Sequence, residues 1–77
     1  MDPLQITRRQ AADKLKYLTP RQSEILFLVA CGYSYKEITG MLSISYSTVI
    51  QHVHNARFRL KADTTLQMVV LMARSRP

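Results

Sequence analysis

Cysteine occurs once in the 77 residues, at Cys31, which excludes an internal disulfide framework and a multi-cysteine zinc site and fits a reducing cytoplasm. Glycine occurs only twice, and no Gly-rich phosphate loop, internal repeat or low-complexity run is present. No apolar run approaches the roughly 18 to 20 residues that span a bilayer, and the N-terminus lacks the apolar stretch of a signal peptide. A soluble, cytoplasmic chain with no membrane partner is expected. Acidic residues are scarce as well: five Asp and Glu stand against eleven Lys and Arg, a formal net charge of +6. An excess of this size on one small domain favours a polyanionic partner, because each neutralised phosphate releases condensed counterions. Constellations that would carry catalysis are also missing. His52 and His54 are two apart and diverge by about 200° on a helix, so they cannot converge on one metal. Glu24 and Glu37 fall in helix openings, where capping and dipole interactions account for them, and Cys31 has no partnered base and reads as a small buried residue. No enzyme, metal site or cofactor is expected.

What the chain does contain is a series of helix start and stop signals. Leu18-Thr19-Pro20-Arg21-Gln22 opens the first clear helix, with Thr19 as cap, Pro20 in the first turn and Gln22 closing a capping box. Ile25, Leu26, Leu28, Val29 and Ala30 supply its buried stripe, and Gly32 ends it. Ser34 with Glu37 forms a second capping box, opening a short helix through Ile38, Met41 and Leu42. Ser43-Ile44-Ser45 is a tight connection in which Ser45 caps a third helix, and Asp63-Thr64 begins a fourth, with Leu66, Val69, Val70 and Ala73 along one side. Before Leu18 the pattern is weaker. Asp2-Pro3 suits the start of a helix bearing Leu4, Ala11 and Leu15, but residues 1–17 read equally as a basic arm or linker ahead of a domain at 18–77. The fold class is all-α: four helices with a basic N-terminal arm or short extra helix. A core this small rarely supplies more than roughly 3 to 5 kcal/mol, so dimer formation would add support.

Residues 45–60, SYSTVIQHVHNARFRL, are the most informative segment. At about 100° per residue, Val49, Val53, Ala56 and Leu60 fall in one narrow stripe, while Ser47, Ile50, Gln51, His54, Phe58 and Lys61 cluster opposite. Exposed helical faces commonly carry Glu and Lys pairs, yet no acidic residue occurs from Tyr46 to Ala62. An anion can approach this face without repulsion. A short helix, a tight turn and a longer helix with an outward polar face make a helix-turn-helix, whose second helix enters the DNA major groove.

At these residues the chain resembles the LuxR-type (LuxR/FixJ/GerE) helix-turn-helix family. The resemblance is carried by L-T-P-R-x-x-E-I-L at 18–26, G-x-S-x-K-E-I at 32–38, L-x-I-S-x-x-T-V-x-x-H at 42–52 and N-A-x-x-x-L at 55–60, with Gln67 and Val69 similar to the fourth-helix segment. In size the chain is similar to small stand-alone members such as the spore regulator GerE. The resemblance implies a bacterial transcription regulator, nucleoid-associated in the cytoplasm, that binds double-stranded DNA as a homodimer on a pseudo-palindromic site. It places Ile50, Gln51 and His54, with Ser47 beside them, at base edges: Gln51 pairing with adenine, His54 donating to guanine, Ile50 packing on a thymine methyl. It places Arg21, Lys36 and Thr48 on the phosphate backbone. The N-terminus of the third helix at Tyr46 suits a phosphate too, and Arg57 and Lys61 extend the cationic flank. The fourth helix becomes the dimer surface, through Leu66, Val69, Val70 and Ala73 with Met72 at the edge; ordinary core packing against the first helix is the competing reading of the same strip.

Three positions depart from the family pattern. Ile50 stands where Lys is common, Phe58 where Arg or Lys is usual, and Lys61 where Gly often closes the helix. Two cations are thus absent from the expected DNA face, an absence that Arg57, Arg59 and the N-terminal segment offset. Ile50 and Phe58 also fit a protein-contact surface, which sets a second hypothesis beside DNA reading: a helix-turn-helix protein that binds and blocks another regulator. A third is region 4 of sigma factors, which binds promoter DNA and RNA polymerase; Ser34-Tyr35-x-Glu37-Ile38 and Ala56-Arg57 with Leu60 resemble it, but its spacing and its lack of a capped fourth helix argue against it.

Overall fold

Ser or Thr caps all five helices in a computed structural model of the chain, which describes residues 5–75. The elements are α1 (Arg8–Leu15), α2 (Pro20–Ala30), α3 (Tyr35–Leu42), α4 (Tyr46–Leu60) and α5 (Thr65–Arg74), with no strand among the described residues. The four helices expected from the sequence are α2 to α5. Both expected capping boxes form: Thr19 Oγ1 accepts from the Gln22 N–H at 3.1 Å, and Ser34 Oγ accepts from the Glu37 N–H at 3.1 Å. In return Gln22 Oε1 and Glu37 Oε1 accept from the N–H groups of Thr19 and Ser34, at 3.1 and 2.9 Å. Gln22 is itself buried, so the α2 cap is part of the core and its amide oxygen is satisfied there.

The helix ends follow from local backbone chemistry. After α2 the Tyr33 N–H bonds the Leu28 carbonyl at 3.2 Å and the Gly32 N–H bonds Val29 at 3.0 Å, a Schellman ending that requires the left-handed φ of +98° at Gly32. The α3 and α4 endings use the same left-handed turn with side chains present, at Ser43 (φ 56°) and Lys61 (φ 53°). Lys61, where the family usually has Gly, therefore holds a conformation that glycine adopts at lower cost.

The extra N-terminal helix exists, and its start is a third capping box, Thr7 with Gln10. The expected Asp2-Pro3 start lies outside the described residues. Ala11 of α1 is fully buried, Leu15 is half-buried, and the helix packs on α5. Around α2 the core gathers Ile25, Leu26, Ile38, Val49, Met68 and Leu71, all essentially inaccessible. Burying such side chains contributes about 1.5 to 3 kcal/mol each. Helices α4 and α5 both lie on α2, and α3 packs on α4 through this cluster, which fixes the helix-turn-helix on a rigid base.

Two sequence expectations need correction. Cys31, read as buried, is exposed: it follows the last residue of α2 at a helix end that faces outward. Met72, expected at the edge of an outward apolar strip, is buried, because it lies one helical turn after the fully buried Met68 and shares its inward side.

Candidate nucleic-acid interface

The face of α4 that the sequence marks as outward is outward. Val49, Val53, Ala56 and Leu60 are buried, while Ser47, Ile50, Gln51, His54, Phe58 and Lys61 are all exposed on the opposite side. Helix α4 has 15 residues, which at about 1.5 Å per residue gives a rod of roughly 22 Å, long enough to lie in a major groove. His52 is half-buried beside the inward stripe.

The entry to α4 is held by a hydroxyl cluster. Ser45 Oγ accepts from the Thr48 N–H at 3.1 Å, and lies 2.7 Å from Thr48 Oγ1 and 3.1 Å from Ser47 Oγ. The Thr48 hydroxyl is thereby directed to the cap, and its side chain is half-buried. Tyr46, 54% exposed at the first position of α4, meets Tyr35 from the first position of α3, with ring centroids 6.4 Å apart and planes tilted by 56°. This contact joins the two starts of the helix-turn-helix and gives Tyr35 and Tyr46 the packing role that their place at helix starts allows beside phosphate contact. Aromatic pairs in such tilted geometry contribute about 0.5 to 1.5 kcal/mol beyond area burial.

The expected cations are in different situations. Lys36 is exposed in the first turn of α3. Arg21 bonds Glu24 Oε1 at 2.8 Å, an exposed i,i+3 pair of low intrinsic strength that a phosphate can outcompete. Arg57 Nη1 donates to the Asp63 carbonyl at 2.9 Å, and Arg59 Nη1 donates to the Tyr17 carbonyl at 3.2 Å. These two arginines brace the C-terminal end of α4 against the loops before α5 and before α2. Sequence spacing gave no signal for either brace, since each partner is a loop carbonyl.

On α5 the structure separates two apolar faces. Met68, Leu71 and Met72 point into the core. Leu66 is 69% exposed and Ala73 is exposed, whereas Val69 and Val70 are half-buried and Met72 is buried. Among the described residues, no helix is long and apolar enough to cross a membrane.

A family profile described as bacterial regulatory proteins, luxR family (GerE), matches residues 16–72. Over 62 residues the chain is 39% identical to the response regulator protein VraR of Staphylococcus saprophyticus and 37% identical to VraR of Staphylococcus aureus, covering 80% of this chain and 30% of each relative. Over 39 residues it is 49% identical to the transcriptional activator protein CarR of Pectobacterium carotovorum, covering 51% of this chain and 16% of CarR. The chain thus corresponds to less than a third of the length of these relatives. No solved structure matches it significantly. The helix-turn-helix of α3 and α4, the profile match over residues 16–72 and these regulators together show that the chain belongs to the luxR family of bacterial regulatory proteins.

Proposed function

We propose that this chain reads duplex DNA sequence-specifically, with α4 in the major groove and two copies on a pseudo-palindromic site. The observation that carries the reading is the outward face of α4, where Ser47, Ile50, Gln51 and His54 are exposed over its first three turns on a segment without a single carboxylate. Gln51 offers a bidentate pair to adenine, His54 a donor to guanine and Ile50 an apolar contact for a thymine methyl. Lys36, Arg21, Tyr46 and Thr48 surround this set and hold phosphates, Arg21 after release from Glu24 and Thr48 through the capped end of α4. Arg57 and Lys61 extend the cationic edge toward flanking phosphates. Two copies pair through the outer strip of α5, Leu66, Val69, Val70 and Ala73, which sets their α4 helices about one DNA turn, roughly 34 Å, apart.

Selection of bound duplexes from a randomised pool at physiological salt tests this reading. An inverted repeat with half-sites one turn apart is the expected product. A pool that returns unenriched would overturn sequence-specific reading, and an enriched single half-site would overturn the paired arrangement.

A further inference from the structure

Beside the C-terminal end of α4 stand two exposed aromatic side chains to which DNA reading gives no role. Phe58 is 81% exposed and Tyr17 is 70% exposed, and each borders an open groove that reaches Lys61 from its own side. The first groove is lined by His54, Arg57, Phe58, Lys61, Ala62 and Asp63. The second is lined by Lys14, Tyr17, Arg59, Leu60 and Lys61. The first groove sets Phe58 beside the buried Ala62, the second sets Tyr17 beside the buried Leu60, and Lys14, Arg57, Arg59 and Lys61 give the two a cationic rim against one acid, Asp63. Among the described residues the ion pairs are Lys16–Asp13 and Arg21–Glu24, so none of the rim cations is neutralised by a carboxylate. Arg57 and Arg59 are braced by loop carbonyls, which presets the rim.

We propose that this end of α4 is a docking surface for an acidic, amphipathic protein segment, with aliphatic side chains set against Phe58 and Tyr17 and carboxylates on the rim around Lys61. Charge complementarity selects the occupant: a cationic rim without a carboxylate partner calls for an anion, and two exposed aromatic rings beside it call for apolar side chains that a phosphodiester lacks. Phe58 also stands where a cation would serve DNA better. An exposed Phe gives the monomer no packing, whereas buried aromatic anchors dominate protein interfaces. The segment shares His54, Arg57 and Lys61 with the DNA face, and, on the reading of the preceding subsection, it therefore competes with duplex DNA.

Panning the full 77-residue chain against a display library of random 16-residue peptides tests the proposal, with dissociation constants then measured by fluorescence anisotropy. The expected peptides are rich in Asp and Glu with Leu or Ile at helical spacing. Their affinity falls at least tenfold with Phe58→Ala or Lys61→Glu, is partly kept with Phe58→Leu, and drops on adding excess duplex. Circular dichroism shows the Phe58→Ala fold unchanged, as its exposure requires. Peptides without acidic excess, or acidic peptides that bind Phe58→Ala equally well, overturn the proposal. So does a single-stranded oligo(dT) whose binding, rather than that of the peptides, is lost with Phe58→Ala and Tyr17→Ala. The peptide affinities do not depend on the duplex selection, so failure of DNA reading and failure of this surface are separately visible.

Discussion

Helices α4 and α5 bury similar apolar stripes but turn different faces to solvent. Inward, α4 has Val49, Val53, Ala56 and Leu60, and α5 has Met68, Leu71 and Met72. Outward, α4 presents Ser47, Gln51 and His54 with Ile50 and Phe58 among them, whereas α5 presents Leu66 and Ala73 beside the half-buried Val69 and Val70. A helix that is apolar on one side needs one packing partner, and a helix that is apolar all round needs a second. On the reading proposed above, polar recognition falls to α4 and self-association to α5, and that contrast can be broken at three points.

The largest effect is expected inside. Met68→Ala, at a fully buried site, should lower unfolding stability by about 2 to 5 kcal/mol in urea titrations, while Val69→Ala on the outer side costs much less. Equal losses would make both sides of α5 core and erase the distinction. Next, Gln51→Ala or His54→Ala should weaken binding to the selected operator by about 1 to 3 kcal/mol with the unfolding midpoint unchanged. An equal loss on random duplex would remove these residues from base reading. Leu66→Glu should leave the monomer within about 0.5 kcal/mol of wild type yet raise the dimer dissociation constant about tenfold, or about 1.4 kcal/mol, by sedimentation. An unchanged constant would move the self-association surface off α5. The smallest effect concerns Glu37, which is exposed at the start of α3. Hydrogen bonds from the Ser34 backbone N–H, and secondarily from its side chain, hold the carboxyl below its ordinary value of 4.5. A lowered folded-state value contributes stability that is complete above the unfolded value and is lost as the pH falls through the folded one. Stability curves between pH 6 and pH 3, on the order of this carboxyl's range, should therefore show a small acid-side loss that Glu37→Gln abolishes; an identical acid slope in that variant would place the titration elsewhere.

The sequence disclosed most where the physics is local. The starts of α2, α3 and α4 were legible because each cap and its partner lie three residues apart, and the two faces of α4 were legible because one is apolar and the other is not. The same Thr-x-x-Gln signal begins α1 at Thr7, but the Asp2-Pro3 dipeptide drew the expected start upstream of it, and α1 has too few apolar positions for periodicity to correct the register. On α5 periodicity cannot choose between two apolar faces, so it leaves Met72 at the edge of the outer strip although that side chain packs inward with Met68. Cys31 was misplaced because its residue type favours burial, whereas its position just past α2 decided exposure. The Tyr35–Tyr46 contact and the Arg57 and Arg59 braces bring together residues from separate helices and loops, or a side chain and a carbonyl, and neither kind of pairing has a sequence spacing to betray it.

The hydroxyl caps at Thr7, Thr19, Ser34, Ser45 and Thr64 have a kinetic consequence. Each helix start is specified within four consecutive residues and needs no distant segment to be in place. Helical chains whose order is set so locally close few long loops before they gain stability, and they fold in microseconds to milliseconds. A ribosome adding about 5 to 20 residues per second makes such a stretch far more slowly than the stretch folds, so the time at which the helix-turn-helix is in place is set by synthesis and not by folding.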